Sequence, residues 1–448
     1  MKGINFKNIL AISILLSLTS QLLADFTPKK SPQNQEAWIT VFVHGIISMA
    51  PLLSLKTMRQ VKNEQIENTV YKEYVTNIRR NRIVCKNQAM QELGLKKIDT
   101  MRTDTTDGCP ALAKLFDMQY SWINPSIKNH YYTFGWSGIM TTQARYKDAK
   151  IFYTALNEEI KKFHDEGVYP KTRLIGFSHG GSVCLSLATV KKQEKIANLF
   201  NVDELILLGM PVIQNSYASL DEPFFKKIHH FYSTEDKVQI LDFSQPGKLF
   251  SSRKFQTSRH AALPENLLQV RLDIFRHTSF PCCWAKSKGA KVQSKTAFPR
   301  HSRSIRKSSP GHCEWWFFGW TNKYYRNNFA IAPLPVAALL PSITRSLEQS
   351  TVKPEKNKKF GNQIKIEVRP FSELITIRTK SQKEQLSFLS DKKLCLLQET
   401  TMQLPFKKTT NKMYSQKVEK AIQEAKEIIA QHIAKNPPAK KHRKHKRI

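Results

Sequence analysis

The run Arg173-Leu174-Ile175-Gly176-Phe177-Ser178-His179-Gly180-Gly181 holds the residue types best suited to chemistry. Gly176, Ser178 and Gly180 stand in a Gly-x-Ser-x-Gly spacing. Leu174 and Ile175 close an apolar stretch of strand character, and residues 182–190 (SVCLSLATV) carry the small side chains of a closely packed helix. A serine on so tight a strand-to-helix turn needs neighbours without side chains two positions to either side, because a Cβ there meets the turning backbone. The strained turn exposes the hydroxyl and aims the N–H groups of the helix N-terminus at a developing oxyanion. The chemistry this suits is nucleophilic attack by the serine on a carbonyl carbon.

The stretch resembles the nucleophile elbow of the α/β-hydrolase superfamily, and its Gly-x-Ser-His-Gly-Gly form looks most like the lipases and esterases of that group. A second segment, His44-Gly45-Ile46-Ile47, resembles the His-Gly pair that follows the third strand in such lipases. In organisation the resemblance covers about Trp38 to Phe318, and only these two segments are specific at residue level. It implies a serine ester hydrolase that needs no cofactor, with the backbone N–H groups of Ile46 and His179 forming the oxyanion hole. It also implies that serine, acid and histidine follow one another in that order along the chain.

Residues 227–233 read as a strand leading into Thr234-Glu235-Asp236-Lys237-Val238. Asp236 is the acid that the resemblance implies, with Glu235 and Asp242 as alternatives. Residues 267–275 (LLQVRLDIF) offer the last strand, after which the histidine should come. A basic stretch without acids, 276–310, separates that strand from Gly311-His312-Cys313-Glu314-Trp315-Trp316. His312, beside a glycine and an aromatic run, is the expected base. His277 lies nearer the strand but follows Arg276, a cation that resists formation of an imidazolium; His260 is a third alternative. The same residues support thioester or amide hydrolysis, and a catalytically inactive relative would instead bind an envelope or membrane surface.

Elements of the right period surround these residues. Residues 38–43 (WITVFV) and 204–211 (ELILLGMP) are nearly continuous apolar runs, as in strands buried on both faces. His130 to Gly138 reads as another strand and turn. Between it and the elbow, Ile151, Phe152, Ala155, Leu156, Ile160 and Phe163 recur near 3.6-residue spacing in a helix over 142–166. Alternating strands and helices predict an α/β fold with a mostly parallel central sheet and helices on both faces. Residues 48–129 form a polar insertion, read either as a lid or as surface decoration. The aromatic run Trp315, Trp316, Phe317, Phe318 and Trp320 fits a core helix, an acyl-binding wall or a membrane-interface anchor. Past Arg345 the composition turns to Lys, Gln and Glu, with a hairpin over 363–378 and a helix over 413–435. The expected division is a signal peptide (1–24), a catalytic domain (25–345) and a basic C-terminal extension (346–448).

The chain has 448 residues and a formal charge of +35. Such an excess suits contact with anionic surfaces. No nucleic-acid-binding motif accompanies it, which favours a membrane or envelope surface as partner, beside an acyl-ester or lipid substrate. Lys2 and Lys7, the apolar residues 9–23 and Leu22-Leu23-Ala24 have the anatomy of a secretory signal peptide cleaved before Asp25, and so imply export. Seven cysteines cannot all pair within the chain. Cys85 with Cys109, and one bridge among Cys282, Cys283 and Cys313, are the expected bridges, and Cys184 is expected to be buried and inert. No Cys/His spacing resembles a zinc site.

Overall fold

Twelve strands can be followed in chain order: β1 (Ala37–Val43), β2 (Gly94–Lys97), β3 (Lys128–Gly135), β4 (Lys171–Phe177), β5 (Glu204–Leu208), β6 (Ile228–Tyr232), β7 (Leu267–His277), β8 (Ile305–Lys307), β9 (Glu355–Asn357), β10 (Gly361–Arg369), β11 (Leu374–Arg378) and β12 (Lys383–Ser387). The helices are α1 (Leu55–Lys62), α2 (Val70–Arg79), α3 (Gly108–Ile123), α4 (Thr142–Asp165), α5 (His179–Glu194), α6 (Leu340–Gln349), α7 (Asp391–Gln403) and α8 (Asn411–Lys435). The structure is a computed structural model describing residues 36–47, 54–81, 87–100, 108–194, 199–220, 223–240, 251–257, 262–277, 305–307, 309–319, 329–403 and 411–435. The expected signal peptide (1–24), Cys85, Asp242, His260, Cys282, Cys283, Trp320, most of 276–310 and the basic tail 440–447 lie outside the described residues.

The strands lie in the order β12-β11-β10-β7-β6-β5-β4-β1-β3-β2. All pairs from β10 to β3 are parallel, and antiparallel strands flank them at both ends. Alternation within each apolar run decides which face a side chain meets. Ile39, Val41, Val43, Leu174, Leu205 and Leu207 pack against α4 and α5, through side chains such as Phe152, Leu156, Val183 and Leu187. Phe42, Ile175, Phe177, Ile206 and Leu208 point the other way, onto Leu112 and Phe116 of α3 and Leu340 and Ile343 of α6. Helices therefore cover both faces of a mostly parallel sheet. In α4, Ile151 is exposed and Tyr153 takes the inward place, because the buried stripe runs Ala149, Phe152, Tyr153, Leu156, Ile160 and Phe163.

The chain crosses itself in one informative place. β1 is followed on one side by β3, and the next strand, β4, returns to the other side of β1. In an open parallel sheet the carboxyl ends of strands at such a reversal diverge and leave a crevice for ligands. β4 ends immediately before Ser178, and β1 ends immediately before His44.

Two expectations about organisation change. Residue 345 marks no boundary in the sheet, since β10 pairs in parallel with β7 from Asn362–Leu268 to Val368–Ile274 and continues the same surface. Nor are the described parts of 48–129 mere decoration. α3 packs beneath the sheet, while α1, α2 and α8 build a third apolar cluster with Ile47 and Met140, at the carboxyl ends of β1 and β3. Val418, Ala421 and Ala425 are the α8 side chains buried there.

At the opposite end of the sheet a guanidinium is buried deliberately. Arg173 lies over the Trp38 ring at 4.1 Å and faces the Tyr120 ring at 5.2 Å, and its Nε donates to Glu204. Burial alone would raise the Glu204 carboxyl, but Arg173 and His229 outweigh it and hold it well below the ordinary carboxylate range. A carboxylate depressed in this way stabilises the fold above its unfolded pKa, and that contribution is lost only as pH falls through the folded value. Arg173→Met leaves Glu204 buried without its main partner and should cost about 3–5 kcal/mol in denaturant unfolding at neutral pH. A loss under about 1 kcal/mol would mean that the pair is dispensable.

Neither Cys109 nor Cys313 enters an expected bridge. Cys109 keeps a thiol, buried, with Sγ 3.8 Å from the Gln88 carbonyl, and Cys313 also keeps its thiol. Cys395 is disulfide-bonded. Cys184 is fully buried, and burial raises its thiol above the ordinary range, which makes the reactive thiolate scarce.

Candidate active site

Ser178 occupies the single step between β4 and α5 and has φ of +51°, in the left-handed region. The surrounding glycines are required by space. A Cβ on Gly180 would come within 2.3 Å of the His44 carbonyl oxygen, and one on Gly45 within 2.8 Å of the Ser178 Cβ. The loop after β1 thus lies directly against the Ser178 turn. Ser178 is 2 % exposed, so the turn does not open its hydroxyl to solvent as the sequence pattern leads one to expect.

The Ser178 hydroxyl lies 3.0 Å from Nε2 of His312. On the far side of that ring, Nδ1 lies 2.9 Å from Oδ2 and 3.1 Å from Oδ1 of Asp236. Asp236 follows β6 and is fully buried. Its Oδ1 accepts the backbone N–H of Gln239 at 3.1 Å, and its Oδ2 accepts the Trp315 indole N–H at 3.1 Å. An imidazole whose Nδ1–H is held by a carboxylate presents an unprotonated Nε2 to its other neighbour, the tautomer needed to take a proton from a hydroxyl.

His312 opens a 3-10 turn, Cys313–Trp315. The long stretch between β7 and this turn is no obstacle, because the turn comes back against Asp236 and Phe177. His312 fills the place beside Ser178 for which His277 and His260 were the alternatives. Glu235, the neighbour of Asp236, is exposed. Two further groups face the same region. Burial raises the Glu314 carboxyl, and it raises the Cys313 thiol, to which Glu314 and Asp236 add.

His44 has a fixed and different task. Nδ1 is 2.6 Å from the Gly45 carbonyl, and Nε2 accepts the Trp136 backbone N–H at 3.3 Å. The Trp136 indole donates to the His44 carbonyl at 2.6 Å while the two rings stack at 5.7 Å. Burial, with Arg79 adding, pushes the His44 pKa down to about 3, so the ring is neutral across the physiological range. These bonds pin the loop that carries Ile46. On the other side of Ser178, the His179 ring has Nδ1 3.3 Å from the Arg145 guanidinium, which also donates to the Met140 carbonyl at 2.6 Å.

The aromatic run serves the interior. Trp315, Trp316 and Phe318 are buried, which excludes them as membrane-interface anchors. Trp316 stacks on Phe177 at 5.5 Å, and Phe177 in turn lies 4.8 Å from the His312 ring. The Trp315 donor, the Gln239 N–H and the Arg145–His179 contact were not foreseen from sequence. Only Trp315, three residues after His312, had a readable signal, because that spacing brings two side chains onto one side of a short helical turn.

Among the described residues no group of three or more His, Cys, Asp or Glu side chains comes together as a metal site. No described helix is long and apolar enough to cross a membrane. Comparison with known proteins leaves the geometry to speak alone: no family model, curated protein or solved structure matches the chain.

Proposed function

We propose that the chain is a serine hydrolase of the α/β-hydrolase type that cleaves acyl esters through a covalent acyl-enzyme. The observation that carries this reading is the continuous relay from Ser178 Oγ to His312 Nε2 at 3.0 Å and from His312 Nδ1 to Asp236 Oδ2 at 2.9 Å, with the serine on a strained turn at the sheet's crossing point. Ser178 attacks the ester carbonyl as His312 takes its proton, and Asp236 holds the ring in the right tautomer and stabilises the imidazolium. The backbone N–H groups of Ile46 and His179 are the donors proposed for the oxyanion. His312 then returns the proton to the leaving alcohol, and a water activated the same way releases the acid.

Phe177, with Trp316 and Phe317 packed on it, gives the His312 ring an apolar surrounding on its buried side. Thioester and amide cleavage use the same groups and separate from ester cleavage only by assay. An inactive, surface-binding relative is disfavoured by the assembled relay. Export, and attraction of a chain of charge +35 to an acidic lipid or envelope surface, belong to the same proposal.

A fluorophosphonate probe with peptide mapping tests the core of it, since it asks for an activated serine without needing the natural substrate. Labelling confined to the peptide bearing Ser178 is expected. A folded protein that remains unlabelled would overturn the proposal.

A further inference from the structure

We propose that Trp315 is a positioning residue for this reaction, acting through Asp236; the inference rests on the reading of Ser178, His312 and Asp236 as a triad. His312 and Trp315 sit three residues apart on one short turn, and both donate to the same oxygen, Asp236 Oδ2, at 2.9 and 3.1 Å. The other carboxylate oxygen, Oδ1, accepts the Gln239 N–H and lies 3.1 Å from His312 Nδ1. Trp315 and Asp236 are both fully buried, so water cannot readily replace the indole donor.

The space for this pair is kept open at another site. Gly209 follows β5 with φ of +56°, and a Cβ there would come within 2.8 Å of Asp236 Oδ2 and 2.9 Å of Trp315 Cδ1. The neighbouring Trp316 makes no such bond and stacks on Phe177 instead. Packing and alignment are thus divided between adjacent tryptophans.

A donor on Oδ2 shares the carboxylate's charge with the imidazole. Without it that oxygen turns wholly to His312, the imidazolium gains, and the base is protonated at higher pH. The other groups facing the pair are Glu314 and Cys313 on the same turn, Ser178 across the ring, and Arg253, whose Nε donates to the Asp236 backbone carbonyl at 2.9 Å. None of them supplies a third N–H to Oδ2 among the described contacts.

The test is the pH dependence of kcat/KM on p-nitrophenyl butyrate for the full chain and two variants. Trp315→Phe removes the N–H and part of the ring, while 3-benzothienylalanine at position 315 replaces only the N–H by sulfur and keeps the shape. In both, the acid limb should move to higher pH by about one unit. A limb that coincides with wild type in the benzothienyl protein makes Trp315 a core residue and overturns the inference, whatever the melting temperature does. Should the phenylalanine variant fail to fold, the benzothienyl protein decides alone. Fluorophosphonate labelling of the wild type separates the two readings. A labelled Ser178 with an unmoved limb defeats only the role of Trp315, whereas an unlabelled, inactive wild type defeats the triad and this inference together.

Discussion

Ser178→Ala should lower ester turnover by about six orders of magnitude while leaving the melting temperature close to wild type. The substitution removes one oxygen, whose partner is His312 Nε2 at 3.0 Å. Alanine tolerates φ of +51° no worse than serine does, and it adds no atom to a turn already crowded by Gly180 and Gly45. The backbone N–H groups around the turn stay, so any residual rate reports the oxyanion donors and substrate binding alone. The measurement is kcat on a short-chain p-nitrophenyl ester beside a thermal melt of the same sample. Turnover within a few-fold of wild type in a folded variant removes Ser178 from the role of nucleophile.

Asp236→Asn should cost about four orders of magnitude in kcat, a larger loss than a mere change in charge. Everything that touches this carboxylate is a donor: His312 Nδ1, the Gln239 N–H and the Trp315 indole. Asparagine has one acceptor oxygen and an NH2 group, so at least one buried donor faces another donor. The cheapest relief is for His312 to move its proton to Nε2, which blocks the acceptor that Ser178 needs. Glu235→Gln one residue earlier is the control, because Glu235 is exposed and should leave kcat unchanged. If Glu235→Gln carries the loss and Asp236→Asn does not, the acid has been misassigned.

Much of this arrangement is legible in the sequence. Nearly continuous apolar runs at 38–43 and 204–211 read as strands covered on both faces, and the Gly-x-Ser-x-Gly spacing leaves few turns other than the one adopted by Ser178. Chain order points to Asp236 and His312, and the structure brings them together with Ser178. What stayed hidden depends on long-range pairing. Ile364, Ile366 and Val368 announce a strand in β10, but alternation cannot tell that its neighbour is β7 rather than a separate sheet. The apolar stripe of α8 likewise demands a partner without naming α2. Trp315 was ambiguous because a buried ring and a hydrogen-bond donor have the same letter, and only its distance to Asp236 separates them.

The third apolar cluster has a consequence for how the chain is made. Ribosomes release residues from the amino end, so β1, β3 and the Ser178 turn emerge long before Val418, Ala421 and Ala425 arrive to bury Ile47 and Met140. β7 likewise waits for β10 to cover its free edge. Closing such distant partners is slow, and exposed parallel edges invite aggregation meanwhile. The nascent chain therefore carries the Ser178 turn before the residues that complete its surroundings have been made. Expression yield should respond to losses from α8 more sharply than its exposed, Lys/Glu-rich outer face suggests.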